Sequence, residues 1–370
     1  MSETTINAGS VPKAAARVEQ RVGLGGMMHG LVVTLIIAAA AFITWWFLKG
    51  TWLKFSALLW AFVYSIAIAN IFPKLSEKTF KAGIDFSSSR MLRVAIGLLG
   101  LTVSASVWLK MGGVGLGVIF FDLIFAFLFS VIFCKYVLKM DDTLSILIGI
   151  GTGICGASAI AATGPAIKAK AEHMGLALAV ITLFGLIAMF GYPFLYNGPL
   201  SGWLANNPVA FGMWSGTGIH ETPGVIAAAS QVGGALPVAI SAKFIRIFMI
   251  GPMVPISMYL LSRFARKTGA EHVKMTIPWF AVAFVALTLV NFGIEFLPFS
   301  AWWSSFDSSY VGPAVTFLLA WAFAGVGMKV KVSAVKAMGL KAFVGGMVVS
   351  VVVGVVSLLM VKFVWLPFAG

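Results

Sequence analysis

Residues 149–168 read GIGTGICGASAIAATGPAIK, a run of small and polar residues inside a strongly apolar region. The run holds five glycines, a proline, two threonines, a serine and a cysteine, with no charge before Lys168. Glycine and proline weaken a helix, and backbone groups cannot be left unpaired in hydrocarbon. Irregular backbone at membrane depth persists only when it is buried in protein or lines a wet cavity. The run therefore predicts a helix broken near Gly153 to Ala157, beside a binding site.

Composition gives the class. Hydrophobic residues make up 60% of the 370 and charged residues 10%, with mean hydropathy +1.00. A soluble domain carries roughly a quarter charged residues. Apolar runs of about 20 residues recur along the chain, each long enough to span a bilayer. The fold class expected is an all-α integral membrane protein; a transmembrane barrel would show short alternating segments instead. The net charge of +14 is not read as nucleic-acid binding, because the cations fall between the apolar runs. Cys134 and Cys155 both lie in apolar segments, and no Cys/His metal spacing occurs. No cofactor, metal site or ATP-binding motif is expected. Residues 1–30 read as a cytoplasmic tail, since no short apolar core with a cleavage site is present.

Eleven spans are expected, near 31–48, 54–72, 92–109, 113–134, 143–167, 174–196, 209–231, 236–262, 277–297, 311–328 and 341–364. Lys13, Arg17 and Arg21 precede the first. Lys74, Lys78, Lys81 and Arg90 precede the third, and Arg93 starts it. Arg263, Arg266, Lys267 and Lys274 follow the eighth; Lys329, Lys331 and Lys336 follow the tenth. Eleven crossings put all four groups on one side, cytoplasmic by the positive-inside rule. Lys168, Lys170 and the chargeless loop 196–208 run against that order, which leaves open whether the seventh span crosses fully. An odd count fits one extra helix (31–50) followed by two inverted five-helix units, 52–197 and 207–370. The pattern Ile150-Gly151-Thr152-Gly153-Ile154 recurs loosely as Ala324-Gly325-Val326-Gly327-Met328, pairing span five with span ten. Gly216-Thr217-Gly218-Ile219, in span seven, matches it better.

Three constellations carry chemistry. A half-helix starting near Gly156 presents unpaired N–H groups and a partial positive charge; with Thr152, Cys155, Ala157 and Ser158 it makes a ready anion site. The bland alternative is close packing of small residues. Cys155 reads as a packing residue rather than a nucleophile, since reactive thiols sit in electropositive, exposed settings. In WSGTGIHETPG (214–224), His220 and Glu221 stand mid-span, where ionisable groups are costly and a proton-carrying role is the default. Zinc proteolysis is excluded, because Gly224 stands where a second histidine is needed. In span eight, Lys243 and Arg246 share one helix face. Two cations at the centre of a span call for negative partners. Asp122, Glu221 or a bound anion would serve.

The chain also resembles the YeiH-like sulfate exporter family of bacterial inner-membrane proteins. The resemblance rests on GIDFSSSRMLRVAIGLLGLTVS (83–104), ICGASAIAA (154–162), GTGIHE (216–221), AKFIRIFMIGP (242–252), IPWF (277–280) and GVGMKVKVSAVKAMG (325–339). It implies a fold related to sodium–proton antiporters and bile-acid symporters, with inverted repeats, crossing broken helices and a core bundle moving against a panel. It places Cys155, Gly156 and Ser158 in the broken-helix motif, His220 and Glu221 in a His-acid pair, and Lys243 and Arg246 on a basic helix. One departure stands out: Thr222-Pro223-Gly224 replaces the Val-Ala-Gln usual after the acidic residue. The function expected is secondary transport of a small anion (sulfate, sulfite, an organosulfonate or a carboxylate), not enzymatic, in the bacterial inner membrane. The partners expected are that anion, the bilayer and a second copy of the chain. A cation–proton antiporter and a passive channel stay open.

Overall fold

The computed structural model describes residues 24–48, 55–76, 78–265, 279–331, 333 and 338–368. Most of the expected cytoplasmic tail, with Lys13, Arg17 and Arg21, lies outside the described residues, as do Arg266, Lys267, Lys274 and Lys336. All regular elements among the described residues are helical. In order they are α1 (Leu24–Leu48), α2 (Ala57–Ile71), α3 (Lys81–Asp85), α4 (Leu92–Leu98), α5 (Ala105–Ile132), α6 (Asp142–Gly153), α7 (Ala157–Ala166) and α8 (Ala171–Asn197). Then follow α9 (Pro208–Gly218), α10 (Thr222–Ala229), α11 (Leu236–Phe248), α12 (Ile250–Ala265), α13 (Trp279–Ile294), α14 (Ser300–Phe306), α15 (Gly312–Gly327) and α16 (Leu340–Met360).

Five described helical runs are long and apolar enough to cross a membrane: α1, α5, α8, α14 with α15, and α16. The pair α11 and α12, bent by 47°, makes a sixth. Helices α2 and α13 are shorter but apolar, and four further half-helices, α6, α7, α9 and α10, come in two broken pairs. The chain is a multi-pass, all-α membrane protein.

Two expectations shift. The third span was expected near 92–109, with Lys81 and Arg90 ahead of it. Instead α3 runs through a π turn, Phe86–Met91, into α4. The serines are tolerated because their hydroxyls bond the preceding turn, Ser87 Oγ donating to Ile84 O at 3.1 Å and Ser88 Oγ to Asp85 O at 3.4 Å. Span ten, expected as the broken twin of span five, is the unbroken helix α15. Its Gly325 serves close packing: a Cβ there would lie 2.7 Å from Ser88 N and overlap the Ser87 side chain. The second break lies in span seven, between α9 and α10.

The helices form two sets. In one, α1, α2, α3, α4, α13 and α15 pack on each other; in the other, α5 to α12 and α16 do so. The sets meet where Phe244 of α11 stacks on Phe284 of α13, ring centroids 4.3 Å apart.

Candidate functional site

Both broken helices are built from local signals. Asp141 caps α6 by accepting from Thr143 N at 2.8 Å, and Asn207 caps α9 by accepting from Val209 N at 2.9 Å. Helix α6 stops at Gly153, the chain turns through 154–156, and α7 starts at Ala157. Gly156 makes that turn at φ 76°, a conformation strained for any residue with a Cβ. Helix α9 stops at Gly218, the chain bends at 220–221 between extended Ile219 and Glu221, and α10 starts at Thr222 with Pro223 in its first turn. The two breaks touch. A Cβ on Gly156 would lie 3.5 Å from Glu221 Cβ and 3.6 Å from the His220 carbonyl oxygen.

At the breaks, the carbonyl ends of α6 and α9 carry partial negative charge and need donors, since buried carbonyls are rarely left unpaired. Arg246 and Lys243, both fully buried, supply them. Arg246 donates from Nε to Gly153 O at 2.7 Å, from Nη2 to Thr152 O at 2.8 Å, and from Nη1 to Thr217 O. Lys243 Nζ donates to Ile219 O at 2.7 Å and His220 O at 2.8 Å. The planar guanidinium spans two helix ends in a way that a point charge cannot. Asp122, buried on α5 beside Thr217 and Ser357, is the carboxylate facing Arg246.

The amino ends of the second halves face the other way, onto a cavity of about 520 Å³ between the two helix sets. Cys155, Ala157 and Ser158 line it from the first break, and Glu221, Thr222 and Pro223 from the second. The opposite wall brings Ser88, Ser89, Arg93, Phe280, Lys329 and Lys331. Ala157 and Ser158 are exposed to this space. The first N–H groups of α7 and α10 have no carbonyl one turn back within their helices. The Thr222 side chain, 8% exposed, and Glu221 both border this space. Lys329 pairs with Asp85 at 2.6 Å at the exposed rim.

The expected site residues thus divide. Cys155, Ala157, Ser158 and Glu221 line the cavity, and Gly156 turns the chain behind them. Thr152, Lys243 and Arg246 do not line it; they lie fully buried at the carbonyl ends of the breaks. His220 also turns away: its Nε2 pairs with Ser350 Oγ of α16 at 2.6 Å. The Thr222-Pro223-Gly224 departure has a local rationale. Pro223 suits a first helical turn, and Gly224 leaves room for Glu221 and the Gly185 carbonyl. Ser88, Ser89 and Gly185 were missed. Ser88 and Ser89 lie in the family-like stretch 83–104, which assigns them no role, and the small size of all three marks close packing everywhere in such a chain. Among the described residues no cluster of three or more His, Cys, Asp or Glu is placed to hold a metal ion.

Comparison with known proteins gives the family. The family described as conserved hypothetical protein 698 matches residues 29–346. A UPF0324 membrane protein of Pseudomonas aeruginosa, PA5383, is 32% identical over 326 residues, 85% of this chain and 88% of the relative. The UPF0324 inner membrane protein YeiH of Salmonella typhimurium is 34% identical over 292 residues, 78% of this chain and 80% of its own length. YeiH of Escherichia coli K12 is 33% identical over 293 residues, with the same shares covered. No solved structure matches the chain. By these matches the chain belongs to the conserved hypothetical protein 698 family, the UPF0324 membrane proteins that include YeiH.

Proposed function

We propose that the chain is a secondary active transporter of a small anion, working by alternating access. The observation that carries this reading is the convergence of two half-helix amino ends, α7 and α10, on one cavity between two helix sets. Such ends favour negative charge through oriented N–H groups and the helix dipole. Arg93 at the cavity wall adds attraction; Lys329 is paired with Asp85 at the rim, and Glu221 is the carboxyl that lines the cavity. The two helix ends favour an anion over the cation of an antiporter.

In this reading the first set of helices is the panel and the second the core, and rigid-body movement between them carries the site across the bilayer. The chain divides into the cytoplasmic tail 1–30, an extra helix at 31–50 and two inverted units, 52–197 and 207–370, each contributing one broken helix. Eleven crossings put the N-terminus and the basic cavity wall in the cytoplasm. Glu221 carries the coupling proton; His220, next to it in the chain, is held by Ser350. Lys243 and Arg246 act on the anion through the helix ends that they hold.

The experiment is flux in proteoliposomes. An inward proton gradient drives accumulation of sulfite, sulfate or a small sulfonate, and Glu221→Gln uncouples it. Flux that ignores the gradient makes the protein a passive channel. Flux of sodium or potassium in place of any anion makes it an antiporter.

A further inference from the structure

The contacts of α8 show which way each half of the first broken helix runs. At the start of α6, Asp141 Oδ1 lies 3.4 Å from His173 Nδ1 in the first turn of α8. Near its end, a Cβ on Gly151 would lie 3.0 Å from Ile181 Cγ1 and 3.1 Å from Ile160 Cδ1 of α7. A Cβ on Gly156 would again meet Ile181, and one on Gly164, late in α7, would lie 2.5 Å from Met174 Sδ. So α6 climbs beside α8 from His173 to Ile181, and α7 descends beside it from Ile181 to Met174. Had α7 continued the line of α6, its ten residues would end about 15 Å farther along α8. Its end instead joins the start of α8 through residues 167–170.

The second broken helix folds back in the same way, from the opposite end of α8. Phe211 and Trp214 of α9 pack on Tyr196 and Tyr192, ring centroids 4.7 and 4.1 Å apart, so α9 runs back along α8 from its far end. Helix α11 starts level with α9 and runs parallel to it: Cβ atoms on Gly212 and Gly216 would lie 2.6 Å from Ala235 O and 2.5 Å from Ala239 O. After α10 the chain has returned to where α9 began, since a Cβ on Gly234 would lie 3.7 Å from Pro208 Cβ. The turns at 154–156 and 219–221 are therefore tips, and they touch at Gly156 and Glu221.

We infer that both broken helices are re-entrant hairpins, one entering from each face of the membrane, and that the chain crosses nine times rather than eleven. The crossings are α1, α2, α3 with α4, α5, α8, α11 with α12, α13, α14 with α15, and α16. Tips at membrane depth are tolerated because they are buried in protein or line the cavity. The charges agree with this path. Eleven crossings set Lys168 and Lys170 outside and the chargeless 196–208 inside. Nine put both lysines in the cytoplasm with Lys135 and Arg263, and 196–208 outside, as the positive-inside rule asks. Lys135, just after α5, lies 3.8 Å from the ring centroid of Phe264, late in α12, so those two ends share one face. The N-terminus and the basic cavity wall keep their cytoplasmic place, because both counts are odd and only 168–208 changes side.

This path gives α10 a role of its own. Its amino end, at Glu221, Thr222 and Pro223, borders the cytoplasmic cavity. The return after its carboxyl end, at Ser230, Gly233 and Gly234, borders a smaller cavity of about 270 Å³ that also touches Trp45 and Ser56 on the outer side. The eight residues of α10, about 12 Å of helix, stand as the barrier between the two. The inference stands on these contacts and not on anion transport, which the flux experiment decides separately.

The test is labelling of single cysteines in the full chain, with Cys134 and Cys155 replaced by alanine, in spheroplasts treated with a membrane-impermeant maleimide. Gly202→Cys should label from outside, as should Ser305→Cys, which both counts place outside. Lys170→Cys should label only after permeabilisation, as should Lys81→Cys, which both counts place in the cytoplasm. Gly202 has nothing within 4 Å of an added carbon, and Lys170 and Lys81 are exposed, so these changes should leave the fold intact. The reverse pattern at 170 and 202 restores eleven crossings, and labelling of both from the same side turns one hairpin into a span; either result overturns the inference. Paired cysteines check each hairpin without regard to sidedness. Asp141→Cys/His173→Cys and Pro208→Cys/Gly234→Cys should each be joined by a short bifunctional maleimide. A span that crossed would hold either pair about 30 Å apart, beyond the reach of such a reagent. A pair left unjoined overturns its hairpin.

Discussion

A methyl group on Gly185 would lie 2.7 Å from Glu221 Cγ and 3.0 Å from its Oε1, so the bare α8 backbone is what seats this acidic side chain. The obstructing atoms belong to a flexible side chain, which can move without unfolding anything. Gly185→Ala should push the carboxyl toward the cavity, where it competes with a bound anion. Anion affinity should fall about tenfold or more, while the melting temperature in detergent moves by only a few degrees. A large loss of stability would mean that the glycine serves helix packing instead.

Arg246 separates a structural from a ligand-binding role. If it holds the ends of α6 and α9, Arg246→Ala leaves buried carbonyls without donors and Asp122 without its partner. Breaking such a buried arrangement costs about 3–5 kcal/mol. Arg246→Lys keeps the charge but loses the fork, and should sit between parent and alanine variant. Unfolding measured without any anion is the deciding readout. An alanine variant as stable as the parent, yet blind to anions, would return Arg246 to the binding site itself.

Much of this was legible in the sequence, and the misses have physical reasons. The break after Gly153 could be read because glycine and proline inside an apolar run have few other uses. The second break was visible in 214–224 as chemistry, but its pairing with the first was assigned to span ten. Glycine pairs such as Gly325 and Gly327 look alike whether they loosen a helix or let a neighbour approach. Lys243 and Arg246 were recognisable as charges needing partners. Sequence displays acidic side chains and hides backbone carbonyls, so the partners were sought in carboxylates and ligands. The apolar cavity wall comes from residues spread over three helices, and no single motif announces it.

A polar clasp joins the two helix sets away from the large cavity. Ser56 N donates to Gln231 Oε1 at 2.9 Å, Gln231 Nε2 donates to Ser56 Oγ at 2.8 Å, and the hydroxyls of Ser56 and Ser230 lie 2.8 Å apart. A second cavity of about 270 Å³ lies alongside, lined by Ser56 and Ser230. Alternating access requires these contacts to part during each cycle. In a Ser56→Cys/Ser230→Cys variant the sulfurs start close enough to bond after a small shift. Oxidation should abolish proteoliposome flux, and reductant should restore it. Unchanged flux in a fully cross-linked sample would show that the two sets do not separate here.

The unbroken α15 makes a prediction of its own. Gly325 faces Ser87 and Ser88 at a distance that leaves no room for a methyl group. Gly325→Ala must displace backbone in the π turn as well as a side chain, and overpacking of this kind costs about 1–3 kcal/mol. Gly191→Ala is the control. It lies within α8 with nothing inside 4 Å of the added carbon, so the gain in helix propensity, up to about 1 kcal/mol, should dominate. Thermal melts of the two variants should therefore shift in opposite directions. If Gly325→Ala were neutral and flux fell, span ten would open during transport, and its glycines would act as a hinge rather than a packing seam.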